Sequence, residues 1–351
     1  MAKSPSRRRP EKGRKVVLAI VGAAHIHTPG FVQALKRMPQ VRVKAVWDHD
    51  PARAVKTAYE LGATVAATAG QIWSDPEIAG VLICSETNRH RALVLAAAKA
   101  GKHLFVEKPL GMNGRESFEM AAAIEKAGLI FTTGYFQRTD PKHLFLRKEI
   151  AAGRFGTLTR ARASNCHGGS LGRWFDSGWL WMTEPKVAGA GAFGDLGTHK
   201  LDILMWLLGD IASATAVIKP VLRNYGDCDE VGEALFTFKS GVIGTLAGSW
   251  LDVDNPVSLL VSGTKAHAVI VKDKLYYHNP ARGIRGDKPF AKLPPQPLSP
   301  LGQFVAAIRG SRVQPLVSAR EAAARVAVME AMYRGARSDS WARVAGQIKR
   351  K

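Results

Sequence analysis

The chain has 351 residues, 46% hydrophobic and 23% charged, enough for two folded units and typical of a globular protein, not a fibrous or disordered one. It contains no apolar run near the ~18 residues of a membrane span, and its three dispersed cysteines, Cys84, Cys166 and Cys228, form neither a disulfide framework nor a C-x-x-C pair. A net charge of +21 attracts polyanions non-specifically, but the basic residues are scattered along the chain, so no specific nucleic-acid surface is expected.

Residues 1–15 read as a basic, disordered arm. The apolar stretch Val16–Ala24 follows; it is short for the core of a secretory leader and reads as a strand, VVLAIV, leading to a helix near 30–38. The pattern then alternates. VRVKAVW (41–47) precedes a helix from Pro51 to Leu61, and a short strand at Thr64–Ala67 precedes GVLIC (80–84). A helix spans Arg89 to Ala100, HLFVE (103–107) precedes a helix from Gly114 to Ala127, and LIFTT (129–133) closes the series. Short apolar runs separated by helices predict parallel strands covered on both faces. The expected fold class is therefore α/β, with a Rossmann-type doubly wound parallel sheet over residues 16–138.

Beyond a helix at Pro141–Ala152 the texture changes. A strand (156–164), a Gly- and Trp-rich stretch and an amphipathic helix from Gly194 to Leu208 lead to TAVIKPVL, EALFTFKSG, VIGTLAGSW, SLLVSG, AHAVIVKD and KLYYH, strands at hairpin spacing. Residues 139–340 thus predict an α+β unit with a large, mainly antiparallel open sheet. Two helices, about 300–310 and 317–336, return the chain, the last packing back on the first unit, and 341–351 form a basic tail.

Three motifs carry chemistry. VVLAIVGAAHIHTPG places a loop between the first strand and the first helix, where a dinucleotide pyrophosphate meets helix N–H groups. Gly22 makes the tight turn, but Ala24 and His27 stand where the other two glycines of G-x-G-x-x-G belong. Asp48, ending the second strand, is placed to accept from an adenosine ribose, which favours NAD over NADP, although Arg53 weakens that preference. His25 and His27 make a poor metal site, lacking an acidic or cysteine cluster nearby, so no metal is expected. His25 is expected to face solvent or ribose, and His27 phosphate or substrate.

In HLFVEKPLG, a strand ending in Glu107-Lys108-Pro109 puts a lysine at the carboxyl edge of the sheet, with Pro109 a candidate for a cis bond. In GAGAFGDLGTHKLDILMWLLG, Asp195 and His199 at i, i+4 share a helix face, an arrangement in which the acid orients the imidazole and raises its basicity.

Taken together, the altered Rossmann loop, Asp48, CSETNRH (84–90), EKP and DLGTHKLD resemble the Gfo/Idh/MocA oxidoreductases from Lys15 to about Val344. The resemblance implies that Lys108 holds the reacting hydroxyl, that His199 takes or returns its proton, and that Asp195 positions the substrate or His199. It further implies that Gly22, Ala24, His25, Ile26 and His27 form the cofactor loop, and that Ser85, Glu86 and Thr87 line the nicotinamide ribose. His90 matches a family histidine, and Glu107 and Pro109 shape the floor of the site. His167, Arg173, Trp174, Trp181 and Lys186 fall in the region that forms the substrate pocket. The implied activity is NAD(P)-dependent hydride transfer at a secondary hydroxyl or keto carbon of a sugar, sugar derivative or cyclitol. The alternatives are an NAD-retaining glycoside hydrolase, for which the His167 loop would supply a further base, and a non-catalytic nucleotide sensor. A cytoplasmic homodimer or homotetramer is expected.

Overall fold

A computed structural model describes residues 15–311, 313 and 315–345. Apart from Lys15 and 341–345, the two expected basic arms lie outside the described residues.

The first unit holds β1 (Val16–Ala23), α1 (Thr28–Lys36), β2 (Val41–Trp47), α2 (Pro51–Leu61), β3 (Thr64–Val65), α3 (Ala69–Ser74), β4 (Gly80–Cys84), α4 (Thr87–Lys99), β5 (His103–Val106), α5 (Gly114–Lys126) and β6 (Phe131–Thr133). Its strands pair in parallel in the order β3-β2-β1-β4-β5-β6. The order reverses between β1 and β4, which opens the ligand crevice of such sheets at their carboxyl edge.

The second unit follows with α6 (Pro141–Ala151), β7 (Leu158–Cys166), α7 (Pro185–Ala188), α8 (Ala192–Leu208), β8 (Ile211–Lys219), β9 (Val231–Phe238), β10 (Ile243–Ser249), β11 (Val257–Gly263), β12 (His267–Val271), β13 (Lys274–Asn279) and β14 (Ile284–Arg285). Then come α9 (Pro300–Ile308), α10 (Ala319–Ser338) and β15 (Ala342–Arg343).

Alternate residues of β1 serve the two faces of the parallel sheet. Leu18 and Ile20 pack with Val32 and Leu35 of α1 and with Leu301 and Phe304 of α9. Val17, Ala19 and Val21 pack with α4, α5 and the first half of α10 through Val94, Met120, Ala323 and Val326. β1 is thereby the rigid base for the loop that follows it.

In the second sheet the order is β14-β13-β12-β11-β7-β10-β9-β8-β15, antiparallel except for the central parallel β7–β10 pair. Lys272 and Asp273, both at positive φ, make the tight β12–β13 turn. Phe193, Leu201 and Leu204 of α8 bury one face against Phe236, Leu246 and Val261, while Val217, Leu235 and Ile243 stay exposed on the other.

Several boundaries differ from expectation for local reasons. Helix α8 begins at Ala192, ahead of Gly194, because Asp229 reaches across to accept from the Phe193 N–H at 2.8 Å. β8 stops at Lys219 because Pro220 cannot continue the ladder. Ala342–Arg343, expected in the tail, pair with β8 as a short edge strand. Among the described residues no helix is long and apolar enough to cross a membrane.

Candidate active site

The loop after β1 depends on close approach. Gly22 lies at φ +78°, and a Cβ there would stand 2.4 Å from the Ser85 Cβ. No side chain fits there. The loop then turns through His25, whose N–H donates to the Cys84 carbonyl at 2.9 Å, into α1. Asp48 is buried beneath it and accepts from the Ala23 N–H at 2.6 Å, from the Asp50 N–H at 2.8 Å and from Arg53 at 2.9 Å. Its carboxylate is thus largely occupied in holding the loop, where the sequence suggested an acid free for ribose. Arg53 also donates to Glu86 at 2.9 Å and its Nε lies 3.8 Å from Asp50, so three carboxylates flank one guanidinium. That surplus of negative charge opposes a 2′-phosphate.

His25 is buried, not facing solvent as expected. Its Nδ1 accepts from the His27 N–H at 3.2 Å, and its Nε2 lies 3.7 Å from Glu107 Oε2. On the other side His27 Nδ1 lies 3.1 Å from Glu107 Oε1. Burial, partly opposed by Glu107, pushes the His25 imidazole down to about 3, so it is neutral at physiological pH. Burial alone would raise Glu107, but His25, His27 and Lys108 reverse that and hold it below the usual carboxylate range.

The three side chains bring ligand atoms within 4.8 Å of one another, a grouping that residues distant in sequence kept hidden. The hydrogen bonding argues against a metal there. A neutral imidazole that accepts at Nδ1 carries its proton on Nε2, the nitrogen turned to Glu107, and that nitrogen has no lone pair for an ion.

The Lys108–Pro109 bond is cis. Lys108, 2% exposed at the end of β5, sets its Nζ 2.5 Å from Asp195 Oδ1. Asp195 Oδ2 accepts from the indole of the fully buried Trp250 at 3.2 Å. Burial raises the Asp195 carboxyl, but the Lys108 ammonium outweighs it and the group sits at about 2. The acid expected to serve His199 is therefore committed to Lys108 and Trp250.

His199, one turn on along α8, is 4% exposed, and its Nδ1 has no hydrogen-bond partner among the described residues. Its ring lies 5.2 Å from that of Phe136 and 6.4 Å from that of His27. Burial, reinforced by Lys108 and His27, holds the imidazole well below its ordinary range. The cleft thus presents an ammonium held by Asp195 and a neutral imidazole. That is a donor for a reacting oxygen and an acceptor for its proton.

His90 is fully buried, its Nδ1 3.1 Å from the Pro109 carbonyl and its Nε2 3.2 Å from that of Ser85. It clamps β4 to the EKP turn and offers the cleft no surface, contrary to a cofactor contact. Arg53 Nε and Glu86 Oε2 are buried beside the loop, held by ion pairs to Asp50 at 3.8 Å and to Arg89 at 3.4 Å. Ala24, Thr28, Arg53, Lys56 and Trp179 line a cavity of about 250 Å³ beside them. This rim, a tight glycine turn at a helix start beside an open cavity, fits a dinucleotide. On the Lys108 side the space narrows to about 20 Å³ among His25, Lys108, Trp181, Met182 and Asp195, room for a single water.

The predicted substrate residues separate. Trp181 donates its indole N–H to the Ala24 carbonyl at 3.1 Å and so stands on the dinucleotide loop. His167 accepts from the Gly169 N–H at 2.9 Å and its ring stacks 4.8 Å from that of Trp174, which is half-exposed. Arg173 turns away to Asp176 at 2.9 Å and to Tyr225, and Lys186 lines a different cavity with Glu330 and Tyr333.

Sequence reading missed Trp250 and the buried Arg138–Asp202–Arg325 cluster, with bonds of 2.6–2.9 Å, that ties α8 and α10 to the segment after β6. Asp202 was visible seven residues beyond Asp195, on the same helix face.

Residues 16–135 match the oxidoreductase family with an NAD-binding Rossmann fold, and residues 143–269 match the Gfo/Idh/MocA C-terminal domain. The levoglucosan dehydrogenase of Pseudarthrobacter phenanthrenivorans is 29% identical over 170 residues, 48% of this chain and 43% of its own. The chain therefore spans less than half the length of that relative. The NAD-dependent scyllo-inositol 2-dehydrogenase of Bacillus subtilis is 28% identical over 242 residues, 67% of each chain. A solved levoglucosan dehydrogenase in complex with NADH and levoglucosan superposes with a TM-score of 0.80 at 21% identity, covering 95% of this chain and all of that one. At that identity it shows a shared fold.

Proposed function

The chain belongs to the Gfo/Idh/MocA oxidoreductase family, with an NAD-binding Rossmann unit, and from that premise we propose that it transfers a hydride between NAD and a secondary hydroxyl or keto carbon of a sugar, sugar derivative or cyclitol. One observation carries the reading: the Lys108–Asp195 pair and the neutral His199, its ring 6.4 Å from that of His27, both lie beside the dinucleotide loop.

NAD, when bound, supplies the hydride acceptor or donor. Gly22, Ala24 and the N-terminus of α1 would hold its pyrophosphate, Arg53 and Glu86 its adenosine side, and Ser85, Thr87 and Pro109 the other half. The Lys108 ammonium donates to the reacting oxygen and stabilises the alkoxide character that develops there. Asp195 keeps that ammonium aimed. The His199 imidazole accepts the hydroxyl proton in oxidation and returns it in reduction.

The named substrates of the relatives, levoglucosan and inositol, support a hydroxylated ring. No observation favours the hydrolase, whose further base was to come from the His167 loop. His167 accepts at Nδ1, so its proton lies on Nε2, the nitrogen that remains. The open face of the nine-stranded sheet, with Val217, Leu235 and Ile243, would pair with a second copy. Three free cysteines suit a reducing compartment such as the cytoplasm.

The test is NADH formation at 340 nm across a panel of sugars and cyclitols, with Lys108→Met and His199→Ala as controls. Denaturing the protein as purified and assaying released nucleotide separates an ordinary dehydrogenase from one that retains its cofactor. A protein that binds no NAD and reduces none refutes the proposal.

A further inference from the structure

Next to the redox cleft is a cavity of about 270 Å³ where α6 and α8 meet β7, β11 and β12, near the lower end of small-molecule sites. Gln137, His143, Lys200 and Phe136 are among its lining residues. Lys200 follows His199 on α8, is 5% exposed, and its ammonium makes no hydrogen bond or ion pair among the described residues. His143 is 2% exposed, and its Nδ1 lies 2.8 Å from the Gln137 carbonyl. A carbonyl only accepts, so Nδ1 carries the proton and Nε2 is an acceptor. That Nε2 has no partner among the described residues, and neither has the buried Gln137 Oε1.

The donor–acceptor balance selects the ligand. Lys142 is already paired with Asp140 and Asp273, each at 2.9 Å, so Lys200 is left as the unpaired cation of the cavity. An anion would satisfy Lys200, but it would lie near the Asp140 and Asp273 carboxylates. A metal ion would be repelled by the ammonium. Hydroxyl groups suit this lining, accepting from Lys200 while donating to the Asp140 and Asp273 carboxylates. Phe136, 52% exposed, adds an apolar ring face of the kind that packs against the C–H face of a sugar. The same ring lies 5.2 Å from the ring of His199, so the cavity adjoins the redox centre.

We propose that this cavity is a subsite for the second hydroxylated ring of a disaccharide whose first ring reacts at Lys108 and His199. The proposal rests on the reading of those residues as a sugar-oxidising centre. The test compares NAD-linked oxidation of maltose and cellobiose with that of glucose in the wild type, Lys200→Met and Gln137→Leu, after each variant's thermal midpoint has been checked. Loss of one charged hydrogen bond raises the ratio of disaccharide KM to monosaccharide KM about tenfold in Lys200→Met, with Gln137→Leu moving the same way. An unchanged ratio in both folded variants overturns the proposal.

If no sugar is oxidised, the redox reading has failed and the subsite is judged by binding alone. Titration calorimetry with maltose then shows weaker binding to Lys200→Met than to wild type. Equal binding to both proteins, or none to the wild type, overturns the subsite.

Discussion

Two lysines near opposite sides of α8 are nearly equally buried and differently held. Lys108 has Asp195 at 2.5 Å, and Asp195 is in turn held by Trp250. The Lys200 ammonium has no hydrogen-bond or ion-pair partner among the described residues, and burial pushes it down to about 8. A buried charge that the protein pairs itself is fixed in place before any ligand arrives. A buried charge left unpaired is a cost to the fold that a ligand can offset. The first arrangement suits a group that must meet a transition state without reorganising. The second suits recognition.

Breaking the pair gives the largest expected effect. Asp195→Ala leaves the Lys108 ammonium buried and alone, which costs about 3–5 kcal/mol of stability. Chemical denaturation measures it, and the loss should shrink in the double variant Lys108→Met/Asp195→Ala. Lys200→Met, by contrast, removes an unpaired charge and leaves stability equal or higher. A Lys200→Met protein as unstable as Asp195→Ala would erase the distinction between the two sites.

The cofactor rim sharpens the comparison. Asp48→Ser frees Arg53 from one of its three carboxylates, and the ratio of NAD to NADP affinity should fall about tenfold, as the loss of a charged hydrogen bond implies. Fluorescence titration of both nucleotides reads it directly.

The pH dependence is a smaller effect with a defined sign. His25, at about 3, and His199 remain neutral in the folded protein below pH 6.5, whereas the unfolded chain takes up protons there. The unfolded state thus binds more protons, and stability falls as pH drops from 6.5 toward 3. Asp195 adds its own loss lower still, from 3.8 toward 2. Urea midpoints across this range should slope downward with acid, and the slope should flatten in His25→Asn. The smallest effect is optical. Trp181 stands where the Lys108 side of the cleft narrows, so NAD binding should alter tryptophan fluorescence in the wild type and less in Trp181→Phe.

How much of this was legible in the chain follows from distance along it. The β-branched run at Val16–Val21, the Gly22 turn and the helix carrying Asp195 and His199 are local patterns, and each formed where its residues lead it to form. The i, i+4 spacing of Asp195 and His199 showed a shared face but not whom each residue serves. The partner of Asp195 is Lys108, 87 positions away. Likewise Glu107 is the counterpart of a histidine 80 positions earlier. Such pairings are products of tertiary packing, which no periodicity encodes. The orphaned Lys200 is a sharper case, because a lysine on an amphipathic helix ordinarily reads as a solvated one.

The central claim is that Lys108 and His199 handle the hydroxyl of a substrate oxidised by NAD. Its most direct test is a stopped-flow measurement of NADH formation at saturating NAD and the best sugar, for wild type and Lys108→Met, with NAD affinity determined on the same samples. The account predicts a rate lowered by about 10² to 10³, as for loss of a donor to a developing oxyanion, with NAD affinity changed only a few-fold. NADH formation by folded Lys108→Met at the wild-type rate would contradict it.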